Sequence, residues 1–318
     1  MGGWPWPISR RGAQVSSLVK ASGSKLSQRR KSDIKWGYFF IFPQLFGVLA
    51  FVLFPLVYVL VLSLLEWNGL SEATFVGLSN YTTELTSSEF RNALTNTVYY
   101  TVMVVPSSVV LSLMAALALN KLRLRNFFRV IYFAPVVTSA VAAGVVWLWV
   151  YNPDFGLINS YLQNWFGIKG PNWLLDPTWV MPSIAIMSIW LSMGFYIVIF
   201  LAGLQGIPAT YLEAAKIDGA NRFQRFWYVT LPLLSPTTFF VFIIAIINSF
   251  QVFDQAFVMT AEGGPANSAV TMVYYLRDLA FVDFVYGRSA AVAVVLFVII
   301  LALTLLQFRV QRRWVHYE

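Results

Sequence analysis

Cysteine is absent from the 318 residues, which excludes disulfide staples, thiolate nucleophiles and cysteine-held metal. Histidine occurs once, as His316 close to the C-terminus, so a histidine metal centre or histidine general acid–base catalysis has no material to work with. Charge is also scarce. Asp, Glu, Lys and Arg together make up 11% of the chain, against about 25% in a soluble globular domain, and this excludes an ordinary water-facing surface. No glycine-rich phosphate loop ending in Gly-Lys-Ser or Gly-Lys-Thr occurs, so the chain has no motif for binding ATP itself. Internal repeats are lacking. Residues 1–36 have no apolar core of the kind a secretory signal peptide carries, and the first hydrophobic run starts too late and runs too long to be one.

What remains is apolar bulk: 58% hydrophobic residues, 17% aromatic, and a mean hydropathy of +0.67. Six stretches, 37–65, 92–119, 130–150, 179–203, 231–258 and 286–308, are long and apolar enough to cross a hydrocarbon core, which takes roughly 20 helical residues each. The fold class expected is therefore an all-α membrane protein with six transmembrane helices. Lys and Arg set the orientation. With the N-terminus inside, 18 of them fall on the cytoplasmic side and four outside: Arg91, Lys169, Arg277 and Arg288. Both termini are thus expected in the cytoplasm. The net charge of +8 follows from that asymmetry and implies no nucleic-acid partner. The basic tail 1–36 reads as a solvated anchor beside anionic lipid. Residues 37–308 form one membrane domain and 309–318 a second short cytoplasmic tail, because no outer loop is long enough to bury a core of its own.

The cytoplasmic loop 204–232 is more patterned than a connection requires. Pro208 precedes a helix in which Ala209, Leu212, Ala214 and Ala215 make a surface of mostly small residues that another protein can approach closely. Glu213 and Asp218 are its only acids. Gly219 can take the positive φ that ends a helix, a second short helix starts at Arg222, and Leu231-Pro232 is expected to fix the start of the fifth span. The competing reading is an amphipathic loop resting on the bilayer.

Polar residues inside spans are costly and mark candidate pathways. In the fifth span Asn248, Gln251 and Asp254 recur every three residues, so they drift slowly round one helical face beside Phe250 and Phe253. Amides, a carboxylate and aromatic rings suit a polyhydroxyl solute; interhelical hydrogen bonding is the alternative use of such groups. The fourth span adds Ser188, Trp190, Leu191, Ser192 and Tyr196.

Glu213-Ala214-Ala215, three residues, Gly219, nine residues, Val229, one residue and Leu231-Pro232 resemble the coupling motif of permease subunits of binding-protein-dependent ABC importers, with Val229 where the family has Ile. Ile207-Pro208 and Ile217-Asp218-Gly219-Ala220 are similar to the carbohydrate-uptake branch, which includes maltose and glycerol-phosphate permeases. Phe75-Val76-Gly77-Leu78-Ser79-Asn80-Tyr81 and Gly263-Gly264-Pro265 add to the likeness. The resemblance implies a type I importer permease fold and a role as half of a translocation pathway, not as an enzyme. It implies a second permease subunit, two separate ATPase subunits that hold ATP and Mg, and an extracellular or periplasmic solute-binding protein. Carried over, Glu213, Ala214, Ala215, Asp218, Gly219, Leu231 and Pro232 couple to the ATPase. Ser188, Leu191 and Ser192 match maltose-type substrate positions, whereas Val136 and Ala140 are apolar where that pattern has contacts. The short C-terminal tail resembles the first of the two permease types. The rival reading is a stand-alone secondary transporter or channel, which internal repeats and buried ionisable groups would favour.

Overall fold

The computed structural model describes residues 33–122 and 125–312. Most of the expected basic tail 1–36, the Arg123 end of the basic turn and the tail beyond residue 312 lie outside the described residues. The chain divides into two units, 1–59 and 60–318.

Helix α1, Asp33–Leu62, supplies the described part of the first unit, and no residue of it up to Val59 is buried. It slips into a π-helical turn over Leu49–Leu53, where the Phe54 N–H donates to the Leu49 carbonyl. Pro55 is the local reason: it has no N–H to continue the regular ladder, so the preceding hydrogen bonds shift by one residue.

The second unit opens with a two-stranded antiparallel ribbon, β1 Leu65–Glu66 against β2 Thr74–Phe75, with Leu65 opposite Phe75. Helix α2, Ser79–Thr86, follows, and then α3, Ser88–Leu119, whose N-cap Ser87 side chain accepts from the Phe90 N–H. Next come α4, Arg125–Phe133, a 3₁₀ turn Ala134–Val137, and α5, Ala140–Val150. A short α6, Leu157–Phe166, leads to α7, Val180–Gly206. The sequence continues with α8, Ala209–Ile217, α9, Arg222–Leu233, and α10, Ser235–Phe250. It ends with α11, Asp254–Met259, α12, Met272–Phe281, and α13, Tyr286–Gln311.

Among the described residues, α1, α3, α7 and α13 are each long and apolar enough to cross a membrane, and two bent pairs raise the number to six if each pair is one span. The hydropathy of the sequence gives no sign of these bends. In the third, Phe127–Val137 meets Ala140–Val150 at 99°. Pro135 removes one helical donor there, and Ser139 is extended at ψ 134°. Backbone groups freed at the bend are taken up locally: Thr138 donates its N–H to Pro135 and its hydroxyl to Ala134. In the fifth, Arg222–Leu233 meets Ser235–Phe250 at 66°. Leu231-Pro232 therefore lies in the helix before the bend and does not begin α10. That span also stops at Phe250 instead of running to residue 258. Gln251 to Phe253 turn away before α11, with Phe253 at φ −142° and ψ −61°.

The core is built where α3, α7 and α10 cross. Phe200, Ile197, Leu201, Val105, Leu234 and Val241 are all buried in one cluster. Gly194 permits a close crossing of α4 on α7: a Cβ at that position would lie 1.9 Å from the Tyr132 carbonyl oxygen.

At the end of the unit away from the 207–233 segment, a polar knot ties four elements. Glu84 on α2 is 0% exposed. It accepts from the Tyr275 hydroxyl of α12 at 2.8 Å and from Nε of Arg288 on α13. The Asn80 side chain donates to the Ser63 and Leu65 carbonyls, both at 2.9 Å. Burial, followed by the hydrogen bond to Glu84, pushes the Tyr275 phenol up to about 12.

Candidate functional site

The bend after α10 shapes a cavity of about 360 Å³ between α3, α7, α10 and α11. All six pathway candidates line it: Ser188, Leu191 and Ser192 from α7, Asn248 from α10, Gln251 from the turn, and Asp254 from the first turn of α11. The geometry that gathers them is not the single helical face expected from their spacing. The helix ends between Asn248 and Asp254, and the turn through Val252 and Phe253 carries the last two residues round the same space. Tyr100 and Val104 of α3, Tyr196 of α7, Ser249, and Gln255 of α11 complete the wall. Tyr100 was missed by the sequence reading, since a tyrosine in an apolar run carries no signal of what it faces until α3 and α7 are packed together.

The hydrogen-bonding inventory is uneven across the cavity. Ser188 donates its hydroxyl to the Ile184 carbonyl and Ser192 donates to Ser188, both at 2.8 Å. Each serine thus spends its donor on its own helix and leaves oxygen lone pairs as acceptors. Tyr100 and Tyr196 line the cavity together with Ser188 and Asn248. Asn248, Gln251 and Asp254 are exposed, whereas Ser188, Tyr100 and Tyr196 are buried. The space therefore has a closed wall on α3 and α7 and opens on the α10–α11 side. Aromatic rings continue from that opening: Phe253 stacks on Phe257 with centroids 5.1 Å apart, and Tyr274 packs edge-on to Phe253.

The seven candidates for the coupling role fall in the segment from α8 to α9. Glu213, Ala214, Asp218 and Gly219 are exposed, while Ala215, Leu231 and Pro232 are half-buried. Helix α8 ends in a Schellman arrangement: the Ala220 N–H donates to Ala215 at 2.9 Å and the Gly219 N–H to Lys216 at 3.2 Å. Gly219 takes φ +81° to close it. Helix α9 starts with a capping box that the sequence reading overlooked. Asn221 accepts from the Gln224 N–H at 2.9 Å, and the Gln224 side chain accepts from the Asn221 N–H at 2.8 Å. The Asn-x-x-Gln spacing was its available signal. Leu212 of α8 lines a second cavity of about 510 Å³ together with Leu204, Ile207 and Phe226. The outward surface is strongly apolar, with Ile217 86%, Tyr228 80% and Phe223 71% exposed.

No group of three or more His, Cys, Asp or Glu able to hold a metal ion occurs among the described residues. Nothing in the cavity resembles a nucleophile–base pair.

Comparison with known proteins gives a consistent family. Residues 98–316 match the family model described as "Binding-protein-dependent transport system inner membrane component". The chain is 35% identical, over 88% of its length and 96% of the relative's, to the sn-glycerol-3-phosphate transport system permease protein UgpA of Agrobacterium fabrum. It is also 35% identical, over 93% of its length and 94% of the relative's, to the arabinooligosaccharides transport system permease protein AraP of Bacillus subtilis. In fold it is similar to a chain of a bacterial alginate ABC transporter in complex with alginate pentasaccharide-bound periplasmic protein. That likeness has a TM-score of 0.79 at 22% identity, over 89% of this chain and 96% of the other. With a buried helical bundle, a polar cavity and a family match running through both, the chain belongs to the binding-protein-dependent transport system inner membrane components, the permease subunits of ABC importers.

Proposed function

We propose that this chain is one permease subunit of an ATP-driven importer of carbohydrates or related polyols, in which it supplies half of the solute path. Six spans with both termini in the cytoplasm complete the reading, with α4 and α5 together as the bent third span and α10, after the cytoplasmic α9, as the crossing part of the fifth, in line with the Lys and Arg asymmetry. The observation that carries it is the continuity between the 207–233 segment and the cavity. Helix α7 brings Ser188 and Ser192 to the cavity and ends at Gly206, and α10 brings Asn248 there and begins at Ser235. The segment between them offers Glu213, Ala214, Asp218 and Gly219 on an exposed, partly apolar surface suited to a separate ATPase subunit. ATP and Mg belong to that subunit, and two copies serve the transporter. The open α10–α11 side of the cavity is what half a path looks like when a second, different permease supplies the other wall. A solute-binding protein delivers the solute from outside. Family membership leaves the stand-alone transporter without support.

The test is Glu213→Lys in the assembled transporter. Membrane insertion stays normal, while the ATPase subunits no longer co-purify or ATP-driven uptake is lost. Normal coupled uptake in that variant, or the 209–219 segment labelled by an impermeant reagent from outside intact cells, overturns the reading.

A further inference from the structure

The two curated relatives described above are equally similar to this chain, yet one is named for an anion and the other for neutral oligosaccharides. Identity does not choose between these classes, but the cavity's charge does. Its polar lining consists of hydroxyls from Ser188, Ser192, Ser249, Tyr100 and Tyr196, amides from Asn248, Gln251 and Gln255, and one charged group, the Asp254 carboxylate. Among the described residues no Lys, Arg or His lines it. The guanidinium of Arg277 reaches the edge of this region, 4.9 Å from the centre of the Phe257 ring, where Phe257 stacks on Phe253. That cation is already paired with Asp278 at 2.7 Å. An anionic solute would therefore meet a carboxylate at the open side and no cation among the described residues that line the cavity. A neutral sugar meets acceptors on the serines, donors and acceptors on the amides, and the apolar Phe253 ring in the lining for its C–H surface.

On the reading that the cavity is part of the solute path, we propose that it admits uncharged polyhydroxyl solutes and turns away phosphorylated or carboxylated ones, with Asp254 setting the discrimination. The effect is Coulombic and of useful size. At an effective dielectric constant near 20, like charges roughly 7 Å apart repel enough to weaken binding by about tenfold or more. Asp254 also starts α11, where a negative side chain suits the helix terminus, so Asp254→Asn is the appropriate change: it removes charge and keeps the side chain's size and shape. A partner permease can add groups to the path, but it cannot remove this carboxylate.

The experiment uses the complete transporter in lipid nanodiscs, without its binding protein, and measures binding of matched probes by saturation-transfer NMR. The neutral probes are arabinotriose, maltotriose and glycerol; the anionic ones are glycerol 3-phosphate and trigalacturonate. In the wild type at least one neutral probe binds, and the anions bind about tenfold more weakly or not at all. Asp254→Asn narrows that ratio, and Asp254→Glu preserves it with the same thermal stability. An anion binding as tightly as the neutral probes, or a ratio unmoved by Asp254→Asn, overturns the proposal. Ser188→Trp, which fills the cavity, separates this from failure of the underlying reading. If the neutral signal survives Ser188→Trp, or no probe binds at all, the cavity is not the solute path and the proposal falls with it.

Discussion

Glu84→Ala is the sharpest test of how the unit is held at the end away from the 207–233 segment. The carboxylate is 0% exposed and receives two hydrogen bonds, one from Tyr275 and one from Arg288. Its removal leaves the phenol and the guanidinium without their acceptor. Breaking a buried pair by deleting one partner costs roughly 3–5 kcal/mol when both ions are sequestered. The Arg288 side chain is 36% exposed, so water recovers part of its solvation, and we place the loss at about 2–4 kcal/mol. At roughly 2–4 °C per kcal/mol for a domain of this size, the midpoint should fall by about 5–15 °C. Intrinsic tryptophan fluorescence during heating in nanodiscs measures it, and Trp67 beside Tyr286 reports on the same corner. Glu84→Gln with Arg288→Met, which removes both charges and keeps the volume, should recover most of the loss. A midpoint for Glu84→Ala within about 2 °C of wild type would refute the idea that this pair anchors α2 to α12 and α13.

Other outcomes follow from single contacts. Gly194→Val should abolish or severely lower yield of folded protein, because even a Cβ falls 1.9 Å from the Tyr132 carbonyl oxygen; size-exclusion profiles of the purified membrane protein check it. Gly219→Val forces a β-branched residue to φ +81°, a strain of about 1–3 kcal/mol, and should lower ATP-driven uptake more than thermal stability. Asn221→Ala removes one arm of the capping box and should loosen the start of α9 by about 1 kcal/mol, read as faster amide exchange at Phe223 and Gln224. The neutral phenol of Tyr275 is the folded form, with its ionisation raised from 10.0 to about 12. Its contribution is therefore complete below about pH 10 and is lost as pH climbs towards 12. Tyr275→Phe should flatten that alkaline fall in stability relative to wild type.

The parts of the fold legible in the sequence were those written in long apolar runs and in local backbone chemistry. Helices α3, α7 and α13 match the expected second, fourth and sixth spans to within four residues at either end, because length and hydropathy alone specify such elements. Gly219 announced its own positive φ. The two bends were not legible, although their causes are visible in retrospect. Pro135, Thr138 and Ser139 break the third run, and Pro236, at the first turn of α10, follows the second bend. A hydropathy reading sees only that both runs stay apolar. The pathway residues of the fifth span were gathered by period-three spacing, yet the chain brings Gln251 and Asp254 to the cavity by leaving the helix. Nothing in the sequence around Glu84 marks it as buried, yet it is fully so. Its partners lie 191 and 204 residues away, a separation no local pattern encodes.

The bends explain why the two candidate regions belong to one device on the proposed reading. From Ser192 to the end of α7 at Gly206 the chain is continuous helix, about 21 Å at 1.5 Å per residue. An unbroken rod of this length transmits displacement with little loss, and Gly203 lets Thr237 and Leu234 of the next helix pair approach it closely. On the returning strand of the segment the connection is different. Helix α9 meets α10 at 66° around Leu234, a side chain that is itself fully buried. A push on α8 passes the extended Ile207-Pro208 link and then runs to Ser188 and Ser192 along the unbroken α7. It reaches Asn248 only by rotating α9 about a pivot sunk in the core. Two helices driven from one segment through unequal linkages must move relative to each other at the cavity. Relative movement of its walls, and not translation of the whole unit, is what a solute path needs in order to change the side to which it opens.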